Sequence, residues 1–375
     1  MKGEGVGRRD LLLGASAILA CGPGRSGGGL GLWFAGDVHL DEGDASRIAA
    51  VAGATLAGSR GVVNLEGPIA DASRLAPAIE APPGAPPHPR LRNGAGAVKA
   101  LREVGVAAVG IANNHAADAG PGGDEATAAA LRAGGLVPFG GPAGVGVIEG
   151  GGVRVVLSAH DLSAGVPLGL VEALTAARAG GDALVATFHV EGPPSYLPRP
   201  QLREAVELAL AAGAAAVVAH GTHALARVEV RGRAVVAWGL GNLAFGCKCT
   251  DEVDGLVLEL HFGTDGIEAA SLVAIDAGIG GAPAGLARDP GLTFDLLEAL
   301  GSPPGRRDGR RLWLSLGSSS DVGRPPGARR AHQAPENQPS STLWPQSVIG
   351  PPLSSSTLLI TRMFLRSMAV RRASL

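Results

Sequence analysis

The sequence contains few aromatic residues and has almost no net charge. Aromatic residues make up only 3% of the 375 positions, with a single tyrosine, so stacking platforms for single-stranded nucleic acid or long sugar chains are scarce. The formal net charge of −2 argues against the basic surface that phosphate neutralisation requires. No apolar run after residue 30 approaches the ~20 residues that span a bilayer. We therefore expect a globular protein that binds no nucleic acid.

Several catalytic motifs are also missing. None of the three lysines, Lys2, Lys99 and Lys248, follows a glycine-rich phosphate loop. The sequence has no Gly-x-Ser-x-Gly elbow and no His-Glu-x-x-His helix. Cys247 and Cys249 can join each other across Lys248 or stay free, and they are too few for a soft-metal site. Phosphate-loop nucleotidases, elbow-type hydrolases and thiolate zinc sites are thereby excluded.

Residues 1–29 resemble an export signal followed by a flexible tether. Arg8 and Arg9 precede an apolar stretch over 11–20, which is too short to span a membrane and resembles a twin-arginine leader. Ile-Leu-Ala-Cys before Gly22 resembles a lipobox, in which Cys21 would be lipidated. This pattern predicts a lipoprotein anchored on the extracytoplasmic side of the membrane. An ordinary secretory leader, or a cytoplasmic chain with an apolar start, is the alternative.

The composition changes sharply near residue 300. Residues 1–300 hold 21 Lys+Arg and 31 Asp+Glu, whereas residues 301–375 hold 11 Arg, no Lys and three acidic residues. Serine and proline become frequent in the same region. We predict that 286–375 is a disordered basic tail, which either contacts anionic lipid or is a non-native extension such as a shifted reading frame.

The segment 30–285 has the pattern of an α/β domain, because short β-rich runs alternate with Ala- and Leu-rich windows. Several of the runs are continuously apolar, as expected where both faces of a sheet are covered. A hairpin tip is predicted at Arg231-Gly232-Arg233. Strands are predicted at 30–35, 61–64, 107–112, 153–159, 183–189, 214–219, 228–230, 234–238, 255–262 and 267–275, and helices at 44–57, 95–104, 122–133, 168–179 and 200–212.

Polar residues with ligand chemistry stand at the ends of five of these runs. Ligands of open α/β sheets gather at the carboxyl ends of strands, so we expect these side chains to share one edge. Nitrogen and oxygen ligands without thiolate suit Mn, Fe or Zn, one or two ions. The residues are Asp37 and His39, Glu66, Asn113 to His115, His189, and His220 with His223.

Some neighbouring residues have simpler explanations. The Asn113 side chain could close a turn, and His160 and His261 have the pattern of strand residues outside the cluster. Asp118 and Asp161 could orient neighbouring groups or cap helices.

Six ordered motifs over about 31–275 resemble the bacterial capsule-synthesis CapA family, also called poly-γ-glutamate synthesis proteins. This resemblance implies an α/β metallophosphatase-like (calcineurin-like) αββα sandwich with two mixed β-sheets. It also implies an envelope-associated protein that helps to make or export an anionic capsular polymer, with capsule-synthesis membrane proteins as partners. The motifs are GDVHL, NLEGP, ANNHAADAG with GGDEAT, the His189 strand, the segment 198–230 with AHGTH, and WGLGNLAF.

The resemblance also implies roles for individual residues. In a two-ion arrangement, Asp37, His39 and His223 would bind one ion, Asn114, His189 and His220 would bind the other, and Glu66 would bridge them. A divalent metal (Mn, Fe or Zn) held in this way would support hydrolysis of a phosphate ester. His115, oriented by Asp118, would stabilise charge or protonate the leaving oxygen.

Two departures from the family pattern leave a second hypothesis open. The family commonly has His-His-Pro-His where this chain has His220-Gly221-Thr222-His223, and Glu191 is displaced from its usual place after His189. Such losses weaken metal binding. The first hypothesis is a metal-dependent hydrolase acting on a phosphate-containing envelope substrate. The alternative is a non-catalytic, polymer-binding assembly factor that retains the fold.

Overall fold

The structure is a computed structural model that describes residues 29–41, 45–52, 58–77, 89–247 and 250–317. Within these residues lie six α-helices and seventeen strands. The helices are α1 Ala49–Ala52, α2 Ala97–Glu103, α3 Gly123–Ala133, α4 Leu170–Ala179, α5 Pro200–Ala211 and α6 Pro290–Ala299. The strands are β1 Leu30–His39, β2 Arg60–Leu65, β3 Val106–Gly110, β4 Val137–Phe139, β5 Gly146–Gly150, β6 Val153–Asp161, β7 Ala183–His189, β8 Ala216–His220, β9 Val228–Arg231, β10 Ala234–Ala237, β11 Asn242–Phe245, β12 Asp254–Gly263, β13 Gly266–Asp276, β14 Gly278–Ile279, β15 Gly285–Leu286, β16 Arg306–Asp308 and β17 Arg311–Leu314.

The strands form two mixed sheets. The first has the order β16-β17-β13-β12-β1-β2-β3-β4, in which β1 to β4 are parallel and β12 runs antiparallel to β1. The second has the order β5-β6-β7-β8-β10-β9, in which β6, β7, β8 and β10 are parallel. Parallel pairing requires crossover connections, and helices α2, α3, α4 and α5 lie in the crossovers.

The buried apolar residues form three clusters. These clusters lie between the four layers of a sandwich, in the order helices, sheet, sheet, helices. Phe34 and Leu258 of the first sheet share one buried cluster with Leu157 and Val185 of the second, so the two sheets pack face to face. A second cluster joins the other face of the first sheet to α2 and α3. A third joins the other face of the second sheet to α4 and α5. The central strands of both sheets are therefore covered on both faces, which explains continuously apolar runs such as β7.

This architecture confirms the predicted metallophosphatase-like α/β sandwich. All ten predicted strands are present, and the hairpin between β9 and β10 turns at Gly232, which has a φ of 65°. Four predicted helices correspond to α2, α3, α4 and α5, whereas the window at 44–57 contains only a short turn and α1 among its described residues. No helix in the described part of the chain has both the length and the hydrophobicity to cross a bilayer.

The segment after residue 285 differs from the prediction of disorder over 286–317. Helix α6 buries Phe294 and Leu297 in the cluster between the sheets, and β17 pairs with β13 to extend the first sheet. The short apolar patch at 312–316, which is set among Arg, Ser and Pro, therefore belongs to the folded domain. The remainder of the predicted tail, 318–375, and the predicted leader lie outside the described residues.

The contribution of α6 can be measured with Phe294, which is 1% exposed. We expect Phe294→Ala to lower the free energy of unfolding by about 3–5 kcal/mol, because it leaves a cavity between the sheets. Glu298→Ala, on the exposed face of the same helix, should change it by less than about 0.5 kcal/mol. Denaturant titration of the full-length variants checks this. If both variants lost equally little free energy of unfolding, α6 would not support the core.

Candidate metal centre

Three ionisable side chains meet where the two sheets end. Asp37 comes from β1, Glu66 directly follows β2, and His189 ends β7. One ligand atom of each lies within 4.8 Å of the others, and all three residues are buried. The first sheet supplies the two carboxylates and the second sheet supplies the imidazole, so the group depends on the packing of the sheets.

Asp37 is held by contacts on both carboxylate oxygens. Asn64 Nδ2 donates to Oδ1 at 2.9 Å, and the Gly221 amide donates to Oδ2 at 2.8 Å. His220 Nδ1 lies 3.3 Å from Oδ1, and His223 Nδ1 lies 3.4 Å from Oδ2. Burial alone would raise the pKa of Asp37, but the contact with His220 and the nearby imidazoles hold that pKa well below its usual range. Asp37 is therefore a fixed, ionised carboxylate at neutral pH.

His189 lies between acidic groups. Its Nε2 is 2.9 Å from Glu66 Oε1, and its Nδ1 is 3.8 Å from Asp161 Oδ1. Burial would lower the pKa of His189, but Asp161, Glu66 and Asp37 outweigh burial and raise it to about 10. The same carboxylates would stabilise a divalent cation in place of the proton.

Several buried polar atoms at the centre lack a hydrogen-bond partner among the described residues. They are Glu66 Oε2, His189 Nδ1 and His220 Nδ1, of which the two nitrogens have only the carboxylate contacts at 3.8 and 3.3 Å described above; Asn114 Oδ1 is also buried without a hydrogen-bond partner. Buried polar atoms in folded proteins are nearly always partnered, and a site for an ion is one of the standard reasons for an exception. All four atoms are oxygen or nitrogen donors of the kind that bind Mn, Fe or Zn. The residues thus fit a divalent metal, whose identity their chemistry leaves open.

His115 and Asp118 form a second polar pair. His115 Nδ1 lies 2.8 Å from Asp118 Oδ2, and Asp118 also accepts from the Leu91 amide and from Arg90. Burial would raise the pKa of Asp118, but these three donors lower it, so the carboxylate stays ionised. The imidazole is therefore held by a rigid partner, in the geometry expected from the sequence.

His39 does not join the cluster. Its Nε2 lies 2.8 Å from the Arg92 carbonyl and 2.9 Å from Asp41 Oδ1, and its Nδ1 accepts from the Cys247 amide at 3.3 Å. Because both ring nitrogens are engaged by other groups, the geometry gives no support to the prediction that His39 is a metal ligand.

The grouping of the remaining histidines also differs from the two-ion arrangement. His220 and His223 both contact Asp37, whereas His189 pairs with Glu66. His223 adopts a φ of 51°, which is rare for a residue with a side chain, and its Nδ1 lies 3.0 Å from Asn242 Oδ1.

Sequence reasoning missed two asparagines that support the centre. Asn64 donates to Asp37, and Asn242 holds His223. Asn113 joins this network by donating to Asn64 Oδ1 at 3.2 Å and to the Leu65 carbonyl at 2.9 Å. The only sequence signal for Asn64 and Asn242 was their position, next to Leu65 and Gly241. The residue type alone did not identify them, because asparagine is also frequent in turns.

Cys247 and His261 are engaged in other contacts. Cys247 forms a disulfide, whereas Cys21 and Cys249 lie outside the described residues. His261 Nδ1 is 3.4 Å from Glu268 Oε2 on the neighbouring strand, as expected for a strand residue outside the cluster.

Gly221 explains why this chain lacks the second imidazole of the family pattern. Its φ is 77°, and a Cβ there would lie 2.4 Å from the Val190 carbonyl oxygen and 2.6 Å from His189 Cε1. A side chain at this position would displace His189. The Gly221 amide donates to Asp37 Oδ2, and the glycine adds no side chain beside His189.

We expect Gly221→Ala to destabilise the protein by about 2–5 kcal/mol, because it combines a left-handed backbone with a steric clash. Gly232→Ala is the matched control, since its φ is 65° but nothing lies within 4 Å of the added Cβ. That variant should lose only about 1–2 kcal/mol. Thermal and denaturant unfolding measure both, and equal losses would show that His189 and Val190 tolerate a methyl group.

One comparison, with protein-family models, agrees with the motif resemblance. The family model for "Bacterial capsule synthesis protein PGA_cap" matches residues 31–146 and 153–247. No curated protein matches the chain. A solved structure, described as a hypothetical protein from Thermus thermophilus, is 15% identical, with a TM-score of 0.44, over 65% of this chain and 98% of that one. Since the family model covers more than half of the sequence, the chain belongs to the bacterial capsule synthesis protein family PGA_cap.

Proposed function

We propose that this capsule-synthesis protein is a metal-dependent hydrolase that cleaves a phosphate ester during assembly of an anionic, poly-γ-glutamate-type envelope polymer. The observation that carries the proposal is the buried group of Asp37, Glu66 and His189, with Glu66 Oε2 unpartnered among the described residues. Two carboxylates and an imidazole without thiolate form the ligand set of hydrolytic Mn, Fe and Zn sites.

Different residues would hold the metal ion and transfer the proton. Asp37, Glu66 and His189 would hold the ion, with His220 and Asn114 completing the set. When bound, a divalent cation activates water and polarises a phosphoryl oxygen. The Asp118 carboxylate fixes His115 through Nδ1, so His115 would give a proton to the leaving oxygen through Nε2. Asn113 accepts from the His115 amide and donates to Asn64, which links this pair to Asp37.

The location and partners are proposed from the sequence. The twin-arginine and lipobox patterns before Cys21 support a lipoprotein on the extracytoplasmic side of the membrane. There the protein would meet the polymer, or a phosphate-containing precursor of it, together with capsule-synthesis membrane proteins.

Metal dependence is the direct test of the hydrolase. The purified full chain should hydrolyse p-nitrophenyl phosphate or bis(p-nitrophenyl) phosphate, lose this activity after dialysis against EDTA, and regain it with Mn, Fe or Zn. Activity that survives chelation, or that no metal restores, would contradict the proposal.

Gly221 favours a second candidate function, a polymer-binding assembly factor without catalysis. The family's second imidazole is absent here, because Gly221 has no side chain, and Glu191 is exposed. In cells that require this protein for capsule formation, an assembly factor should tolerate His115→Gln. Loss of the capsule in that variant, with normal protein level and fold, would rule this candidate out.

A further inference from the structure

A cavity of about 480 Å³ opens beside the metal centre, between the carboxyl ends of β3, β4 and β6 and the first turn of α4. Two of its lining residues also contact the network around the centre. Asn113 donates to Asn64, which holds Asp37, and Asp161 lies 3.8 Å from His189. Asp161 therefore connects the cavity to His189 directly, and Asn113 connects it to Asp37 through Asn64.

The walls of the cavity are mostly small and apolar. Ile111, Ala112, Ala159 and Pro167 line it together with three glycines. At Gly140, which has a φ of 87°, a Cβ would lie 2.7 Å from Ala159 Cβ and 2.8 Å from Ala112 Cβ. Such a surface recognises hydrocarbon rather than hydrogen-bonding groups.

The polar lining carries no positive charge in the part of the chain that the structure describes. No Lys or Arg is among these lining residues, whereas Asp124 and Asp161 are. Ser158 Oγ and His160 Nε2 lie 2.7 Å apart and satisfy each other, and burial lowers the pKa of His160, which keeps it neutral. A carboxylate or phosphate group would meet like charge here, so an anionic chain is disfavoured in this cavity.

The mouth of the cavity is apolar as well. Val145, a lining residue, is 51% exposed. Leu168, which is 103% exposed, directly follows the lining residue Pro167. These are two of the five large hydrophobic residues that are exposed in the described part of the chain. Exposed apolar groups concentrated at one cavity mark a binding surface.

We propose that the substrate is a phosphate ester of an apolar alcohol, with its phosphate at the metal centre and its hydrocarbon in this cavity. This inference rests on the proposed hydrolase and specifies its substrate class. Hydrolysis breaks the bond between phosphorus and the alcohol oxygen and forms one between phosphorus and a water oxygen. The alcohol oxygen takes up a proton, and no redox partner is needed.

A series of n-alkyl phosphates tests the inference, because methyl to hexyl phosphate share the same kind of leaving oxygen. Each methylene that becomes buried contributes about fourfold. We expect the kcat/KM of the Mn-loaded full chain to be at least about tenfold higher for hexyl than for methyl phosphate. Ala173→Trp should bring this ratio close to one, and Ala179→Trp, at the far end of α4, should retain it.

Binding of unreactive analogues separates the two proposals. Calorimetry should show tighter binding of hexylphosphonate than of methylphosphonate, with the difference lost in Ala173→Trp and in Val145→Asp. Chain-length-dependent binding without any phosphate-ester turnover would support the cavity assignment and contradict the hydrolase. Turnover or binding that is independent of chain length would overturn the cavity assignment and leave the hydrolase intact. A Val145→Asp protein that binds both phosphonates as the unaltered protein does, and differs from it only in the self-association measured by sedimentation, would also contradict the cavity assignment.

Discussion

Asp37→Asn is expected to weaken metal binding by at least about 100-fold. Losing a partner that only orients a ligand typically costs about 10–100-fold, and Asp37 would be a ligand itself. The substitution keeps the size of the side chain but removes the charge that faces His220 and His223. Elemental analysis of the full chain after growth with Mn, Fe or Zn measures the retained metal.

The control for this variant is Asp265→Asn, an exposed change at the turn between β12 and β13. It should retain as much metal as the unaltered protein. Circular dichroism shows whether Asp37→Asn is folded, since its amide can no longer accept from both Asn64 and Gly221. A folded Asp37→Asn protein with undiminished metal would remove Asp37 from the ligand set.

His115→Gln is expected to lower the kcat for phosphate-ester hydrolysis by about 10²–10⁴-fold while leaving the metal content unchanged. General acid catalysis by a positioned imidazole typically contributes this much. Asp118→Asn should lower the kcat in the same direction, because it weakens the contact that orients the ring. Steady-state kinetics beside elemental analysis checks both variants.

The matched control for His115 is His261→Gln, which changes a histidine that contacts Glu268 away from the centre. Its kcat should equal that of the unaltered protein. If His115→Gln lost metal in proportion to activity, His115 would be a ligand or a structural residue instead of the proton donor.

The convergence of Asp37, Glu66 and His189 could be predicted because parallel strands end at a common edge. The polar residues follow apolar runs in the sequence, and the parallel neighbours β1 and β2 bring Asp37 and Glu66 to one edge of the first sheet, whereas β7, which carries His189, belongs to the second sheet. Only the packing of one sheet on the other sets the distances between these groups. The contact of His220 with Asp37 was therefore beyond sequence reasoning, whereas His223 was expected beside Asp37.

The placement of His39 could not be predicted from strand periodicity. The family resemblance, and not the strand pattern, grouped Asp37 and His39 as ligands of one ion. The register of β1 shifts between Asp37 and Val38, and the Arg92 carbonyl that His39 contacts comes from a segment more than fifty residues away. A bulge of this kind redirects a side chain without any mark in the residue pattern.

The folded domain was predicted to end at residue 285, which is too early. The composition of the following segment was given more weight than its few apolar residues. Arginine, serine and proline dominate after residue 300, which is typical of disorder. Within the segment predicted to be disordered, Phe294, Leu297 and Leu312 are enough to complete the core between the sheets. Apolar residues this sparse gain their stability from tertiary packing, which no local window reveals.

Anomalous diffraction from crystals of the full chain, grown with Mn, Fe or Zn and recorded at the absorption edge of each metal, tests the metal centre most directly. We predict a peak about 2.0–2.3 Å from carboxylate oxygens of Asp37 and Glu66 and from a ring nitrogen of His189. No peak at these three residues with any of the metals, or a peak only elsewhere on the protein, would contradict the metal centre and the hydrolase proposed from it.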